Sequence, residues 1–405
     1  MFFVIVCAVI RAHIIKLAPT RKQEAFFRQC VGAARFAFNW ALCHWRAQFA
    51  AGYKPNDGSL RKSLNTIKRE EFPWMLDVPK RVVQQAIINL GTAYQNFFDS
   101  CSGKRKGPKM SPPDFKSKHK SKQSARLDNG PGTFSFAGKA VKLPNIGWVD
   151  THEELRFDGK PLSAVLSFVG QRWWLSVQVE LPDPPTDIVS KPAVGIDLGL
   201  KTALVLSDGT TFQSPKPLKS ALERLKRLSR FVSRKVKGSS NRKKAVARLS
   251  RQHWRIAQIR KDWQHKTTTA IAKQYGSVGL EDLNVKGMMA NRHLSRALND
   301  VGFSEIRRQL EYKAQSVFVV DRWFPSSKTC SSCGHKKDSL PLAERVFSCT
   351  ACGFTLDRDL NAAKNIHTAS CAGINACGDG SSGPGRKTGT KLPSVKQEPI
   401  CTVNT

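Results

Sequence analysis

Four cysteines fall in two close pairs, Cys330-Ser-Ser-Cys333 and Cys349-Thr-Ala-Cys352, with fifteen residues between them. Two such turns can offer four thiolates to one tetrahedral ion. Zinc favours sulfur and makes no geometric demand of its own, so it suits the set. Gly334 and Gly353 follow the pairs directly and let the backbone fold around the metal with its N–H groups near the sulfurs. A closed four-sulfur site leaves no position for a substrate water, so this zinc is expected to be structural. Thiolates must stay reduced, which points to the cytoplasm. Cys371, Cys377 and Cys401 lack paired spacing, and Cys7, Cys30, Cys43 and Cys101 read as ordinary thiols.

Charge is the second constraint. The 405 residues carry 66 Lys and Arg against 31 Asp and Glu, a formal net charge of +35. Like charges on one body repel, and solubility does not require a surplus of this size. A polyanion is the expected partner, with nucleic acid ahead of an anionic membrane. The hydrophobic fraction of 40% excludes wholesale disorder, and the length suggests roughly two or three domains. No run of about 18 apolar residues exists to span a membrane. The apolar opening Met1–Ile10 precedes the first base, Arg11, the reverse of a secretory signal. Val4 to Leu17 reads as a buried strand.

Apolar residues from Phe26 to Leu42 recur near a period of 3.6 and predict a helix between Thr20 and Ala51. A second helix is expected with Asp77 as cap and Pro79 in its first turn, Val83, Ile87, Leu90, Tyr94, Phe97 and Phe98 along one side, and Lys80 and Gln84 on its outer face. Ser102 to Arg126 is basic and rich in Gly, Pro and Ser, which predicts an extended arm outside the core. Strand-like alternation from Gly132 to Pro182, including LSAVLSFVG and QRWWLSVQVELP, predicts a small β-barrel or sandwich that the first strand could join. DPPTDIVSKP reads as a linker. After it come two apolar strands in GIDLGLKTALVLSDGTTF, a basic antiparallel helical hairpin broken at GSSN, a strand SVGLEDL, a helix near Glu305–Ser316 and a strand VFVVD. The chain after His367 is rich in Gly, Ser, Lys and Pro and reads as disordered.

Acids stand in unusual places. Asp197 interrupts an apolar strand, Glu281 ends another, and Asp357 and Asp359 follow the second cysteine pair in DRDLNAAKNI. A carboxylate within an apolar strand is costly to desolvate unless it is paired or binds a cation. Carboxylates from strand ends and a helix start can hold two Mg²⁺ roughly 3.5–4 Å apart, one activating water and the other stabilising the leaving oxygen of a phosphodiester. A basic protein with such a centre reads as a nuclease.

GIDLGLKTALVLSDG, GLEDLNVKGM, PSSKTCSSCG with FSCTACG, and DRDLNAAKNI together resemble the split RuvC-type nuclease and zinc ribbon of the TnpB family. TnpB proteins are transposon-encoded RNA-guided DNA endonucleases of the OrfB type, related to compact type V CRISPR effectors. TRKQEAFFRQCVGAARFAFNWAL, PDFKSK, KLPNIGWV and RWWLSVQVE extend the resemblance, so it covers roughly Ala12 to Ile366. G-I-D-x-G alone occurs across ribonuclease-H-like folds; four blocks in order are specific.

The resemblance implies an α+β multidomain fold. A β-barrel wedge domain (1–18 and 111–185) would carry a helical recognition insert (19–110). An RNase H-like (RuvC) nuclease domain (193–325 and 354–368) would enclose the zinc ribbon (326–353), with a disordered tail at 369–405. It assigns Asp197, Glu281 and Asp359 as catalytic Mg²⁺ ligands, the last chosen over Asp357 by its place in D-x-N-A-A. Cys330, Cys333, Cys349 and Cys352 are the zinc ligands. Lys80 and Gln84 become candidate readers of a short motif beside the DNA target. The implied partners are a guide RNA from the transposon end and double-stranded target DNA, with no membrane and no small-molecule substrate, in a cytoplasmic, nucleoid-associated setting. Two other readings stay open: a catalytically silent guide-dependent DNA-binding protein, and a strand-transfer transposase.

Overall fold

The computed structural model describes residues 9–376 apart from 106, 119, 129–131, 182–190 and 342. The expected strand start at Val4, most of the DPPTDIVSKP linker and the tail from 377 on lie outside the described residues. These form two compact units, one up to 181 and one from 191 onward. No helix among them is long and apolar enough to cross a membrane.

The first unit runs β1 (Val9–Lys16), α1 (Arg21–Ala50), α2 (Asp57–Ile67), α3 (Lys80–Cys101), β2 (Ser124–Arg126), β3 (Ser135–Ala137), β4 (Ala140–Leu143), β5 (Gly147–Asp150), β6 (Lys160–Val169) and β7 (Arg172–Leu181). α1 starts at a capping box: the Gln23 N–H donates to Thr20 Oγ1 at 3.3 Å and the Thr20 N–H to Gln23 Oε1 at 2.9 Å. Its apolar stripe packs on α3, where Trp45 and Tyr94 stack with centroids 4.4 Å apart, and on β7, where Phe27 meets Trp173 at 5.3 Å.

One sheet has the order β1-β7-β6-β2 and another the order β3-β4-β5. β6 and β7 are joined through Gly170 and Gln171, both left-handed (φ 60° and 63°), as a tight hairpin requires. The end of β1 links the sheets, since Leu17 bridges Thr151 and the His152 N–H donates to Lys16 O at 2.9 Å. The first strand thus joins the middle strands as expected.

Two expectations for this unit change. Asp77 does not cap α3; it closes a 3-10 turn, Pro73–Asp77, and Pro79 stands at the cap with no side-chain bond. The cause is Pro79, which forces the preceding Val78 into extended backbone (φ −103°, ψ 154°). The basic arm is also not wholly free. Asn39 of α1 grips the Lys116 backbone, donating to its O at 2.9 Å and accepting from its N–H at 2.8 Å. Arg46 donates to Pro113 O at 2.9 Å and lies 5.0 Å over the Phe115 ring. The Lys116 ammonium sits 3.6 Å over Phe38, and burial pushes its pKa down to about 8.

The second unit runs β8 (Ala193–Leu198), β9 (Leu204–Leu206), β10 (Thr211–Phe212), α4 (Pro217–Ser233), α5 (Ser240–Gln274), β11 (Ser277–Glu281), α6 (Val285–Ala290), α7 (Ser295–Val301), α8 (Phe303–Lys313), β12 (Ser316–Val320), β13 (Val346–Ser348), β14 (Thr355–Asp357) and α9 (Arg358–Ala376). Its sheet has the order β10-β9-β8-β11-β12. β8, β9 and β10 form an antiparallel meander, while β8, β11 and β12 are parallel. This is the RNase H-like arrangement expected for the nuclease half. α4 and α5 pair as the hairpin.

α9 crosses the sheet at two glycines that face each other in register, Gly195 of β8 and Gly279 of β11. A methyl on Gly195 would land on the Ala363 carbonyl and the His367 nitrogen, and one on Gly279 would come within 2.9 Å of Ser370 Cβ. The helix therefore rides closer to the sheet than any larger residue permits. It also continues to Ala376, so the tail expected to be disordered from 369 is helical for its first residues. Ile366 and Ser370 are buried against the strands, and that contact holds the helix past the motif.

Candidate active site and zinc site

Asp197 lies one residue from the end of β8 and Glu281 ends β11. Leu280 pairs with Ile196 in the parallel register, so the two acids occupy the next step on adjacent strands, about 4.8 Å apart in backbone. Asp359 enters from the first turn of α9, on the helix face that also carries Ala363 and Ile366 over Gly195 and Gly279. The three expected acids are thus brought to one edge, at the carboxyl ends of parallel strands, where open α/β sheets bind their ligands.

Their proximity shows electrostatically. The Asp197 carboxyl is pushed up to about 7, first by burial and then by the negative charges of Glu281 and Asp359; Arg358 and the Leu198 N–H pull the other way. Asp357 has a different task. Its Oδ1 accepts the N–H groups of Asp359 at 3.0 Å and Leu360 at 3.1 Å, capping α9.

Protein partners hold the other two acids. Ser326 Oγ donates to Glu281 Oε1, and Arg358 Nε stands 3.5 Å from Asp359 Oδ1. The carboxylate ring is looser than the sulfur cluster: among the described residues the four cysteines form the one group of three or more His, Cys, Asp or Glu whose ligand atoms all lie within 4.8 Å. Oxygen donors facing one another with excess negative charge fit a hard divalent cation such as Mg²⁺.

The sulfur geometry fits zinc closely. Cys330 and Cys352 sulfurs are 3.8 Å apart, and those of Cys333 and Cys349 are 3.6 Å apart. A tetrahedron with Zn–S of about 2.3 Å has edges of about 3.8 Å. Each knuckle closes the same way, the Gly334 N–H donating to Cys330 O at 2.9 Å and the Gly353 N–H to Cys349 O at 3.0 Å. Both glycines are left-handed, at φ 77° and 71°.

The knuckle is riveted to α9. Asn361 donates to Thr329 O at 2.7 Å and accepts from the Ser331 N–H at 2.9 Å. Asn365 donates to both Ser326 O and Thr329 O at 2.7 Å. One buried asparagine pair therefore ties the first zinc turn to the helix of Asp359 and, through Ser326, to Glu281. On the other side, Asp282 takes Arg307 at 3.0 Å and Arg322 at 2.9 Å, bracing the end of β11. In the first unit, Lys80 opens α3 exposed, with Gln84 half-buried one turn later.

Known proteins agree with this architecture. A family profile described as "Probable transposase" matches residues 176–292, one described as "Cas12f1-like, TNB domain" matches 303–366, and a "Helix-turn-helix domain" profile matches 9–54. A Streptomyces pristinaespiralis protein named "Putative RNA-guided DNA endonuclease" is 35% identical over 404 residues, covering 96% of each chain. The chain belongs to the TnpB family. An Escherichia coli (strain K12) relative named "Putative RNA-guided DNA endonuclease InsQ" is 31% identical over 391 residues, 91% of this chain and 94% of that one. The protein in the cryo-EM structure of a Cas12f1–sgRNA–target DNA complex shares the fold, with a TM-score of 0.54 at 13% identity over 89% of this chain and 99% of that one.

In this TnpB-family chain, the fold brings the expected acids to one edge and the expected thiolates into one cluster, and it adds Ser326, Asn361, Asn365 and Arg358, which the sequence did not single out. The asparagines carried a usable signal: two amides four residues apart, facing inward beside Ala362 and Ala363, must find partners. Ser326 carried none, because its tie to Glu281 spans 45 residues of sequence.

Proposed function

We propose that the chain is an RNA-guided DNA endonuclease that hydrolyses target phosphodiesters beside a short flanking motif, with Asp197, Glu281 and Asp359 holding two Mg²⁺. The observation that carries this reading is the convergence of these acids at one strand edge, with Asp197 and Glu281 on adjacent parallel strands and Asp359 in the first turn of α9; burial, and after it the charges of Glu281 and Asp359, push the Asp197 carboxyl up to about 7. The names of its relatives and the fold it shares with a guide-bound effector support the RNA-guided part.

Bound divalent ions would supply the activated water and the charge stabilisation of the leaving oxygen. The chain's own residues set the geometry: Ser326 orients Glu281, Arg358 balances the carboxylate charge, and Asp357 fixes the helix turn that presents Asp359. The four cysteines would hold zinc as scaffold. The guide would come from the transposon end and pair with the target, which leaves the protein to hold phosphates and to read the flanking motif through Lys80 and Gln84.

The test uses protein copurified with its RNA, a target DNA duplex and Mg²⁺. Asp197→Ala or Glu281→Ala should lower cleavage by about 10³-fold or more while binding persists. Cleavage that survives either change overturns the assignment, and a flanking-motif preference unchanged in Gln84→Ala removes Gln84 as a reader.

A further inference from the structure

Trp323 is 85% exposed, the most open large hydrophobic side chain among the described residues. Its place gives that exposure meaning. It tops a tight loop whose two feet stand on the carboxylate edge: Arg322 donates to Asp282 O at 3.1 Å and to its carboxylate at 2.9 Å, and Ser326 donates to Glu281. Between the feet the loop is stiffened by its own backbone. The Trp323 N–H donates to Asp321 Oδ1 at 2.8 Å, the Phe324 N–H to Asp321 O at 3.1 Å, and the Ser326 N–H to Phe324 O at 2.8 Å.

We propose that Trp323 is a stacking platform for an unpaired nucleobase of the DNA strand whose phosphodiester enters the carboxylate edge. This rests on the endonuclease reading above and adds to it a residue that grips the strand being cut. An indole on a braced loop loses little conformational freedom on binding. It stacks on any base, which suits an enzyme whose sequence reading is left to a guide. Inside a duplex both faces of a base are covered by neighbours, so the platform works only on a strand already unwound. Trp323 thus selects single-stranded DNA at the point of cutting and acts beside the three acids rather than through them.

Two measurements on the RNA-bound full chain test this. Trp323→Ala should lower kcat/KM for guided cleavage by about 5- to 100-fold, and Trp323→Phe, which keeps an aromatic face, should recover most of it. Separately, in Mg²⁺-free buffer a single-stranded oligodeoxythymidylate should quench tryptophan emission in the wild type beyond the quenching in Trp323→Phe, and a duplex of equal length should do so less. Equal quenching of the two proteins overturns the proposal, as does an active wild type whose Trp323→Ala variant cuts equally well. A wild type that does not cut at all while its Trp323 emission is still quenched would refute the endonuclease reading and leave the platform standing.

Discussion

Asn365 shows how a single side chain can carry more of the site than its chemistry suggests. It is 6% exposed, and its amide serves two carbonyls, those of Ser326 and Thr329, at 2.7 Å each. The first belongs to the residue that orients Glu281, and the second begins the turn that presents Cys330. Asn365→Ala takes the amide donor from the buried Ser326 carbonyl and leaves Thr329 O with the Asn361 amide alone, a cost of about 1–3 kcal/mol. The melting temperature should fall accordingly, and zinc should pass to a chelator faster than from the wild type. Thr368→Ala, one turn on and exposed, loses only a bond to Lys364 O and should change neither. Equal zinc release from the two variants would mean that Asn365 does not couple the ribbon to α9.

At the scale of elements, two glycines set the height of α9 above the sheet and hence where Asp359 arrives. Gly195→Ala would drive a methyl into the α9 backbone at Ala363 and His367. No rotamer can relieve that clash, so a cost of at least about 3 kcal/mol is expected. Gly32 offers the opposite case. It lies inside α1 with nothing within 4 Å of an added methyl, so Gly32→Ala should stabilise by about 0.5–1 kcal/mol. Urea titrations of the two variants should move in opposite directions, and only Gly195→Ala should also impair cleavage. This contrast marks what the sequence can convey. The zinc turns and the acid-bearing strands were legible because spacing and an out-of-place charge are local signals. The start of α3 was misread because Asp77 resembles a cap while Val78, caught before Pro79, cannot continue a helical turn. The extension of α9 to Ala376 was invisible because it depends on Ile366 and Ser370 finding β11, a contact between distant parts of the chain.

Across the whole molecule, the proposed function gives binding and chemistry to opposite charges, and that separates them experimentally. The net charge of +35 includes a hairpin, 217–274, whose acids are Glu223 and Asp262 alone, while the edge that would hold Mg²⁺ is built from Asp197, Glu281 and Asp359. Not every base is available for phosphate: Lys116 is held over Phe38, and Arg307 and Arg322 are spent on Asp282. Even so, six or more phosphate contacts would make affinity fall by about 10³-fold or more between roughly 50 and 200 mM salt, because each contact releases condensed counterions. Metal removal acts on the other charge set. Chelating Mg²⁺ at constant ionic strength should stop cleavage and leave filter-binding or mobility-shift affinity for RNA and DNA within a few-fold of its starting value. A chelator that released nucleic acid as strongly as salt would show that the metal holds the substrate as well as activating it, and the division between basic grip and acidic chemistry would then fail.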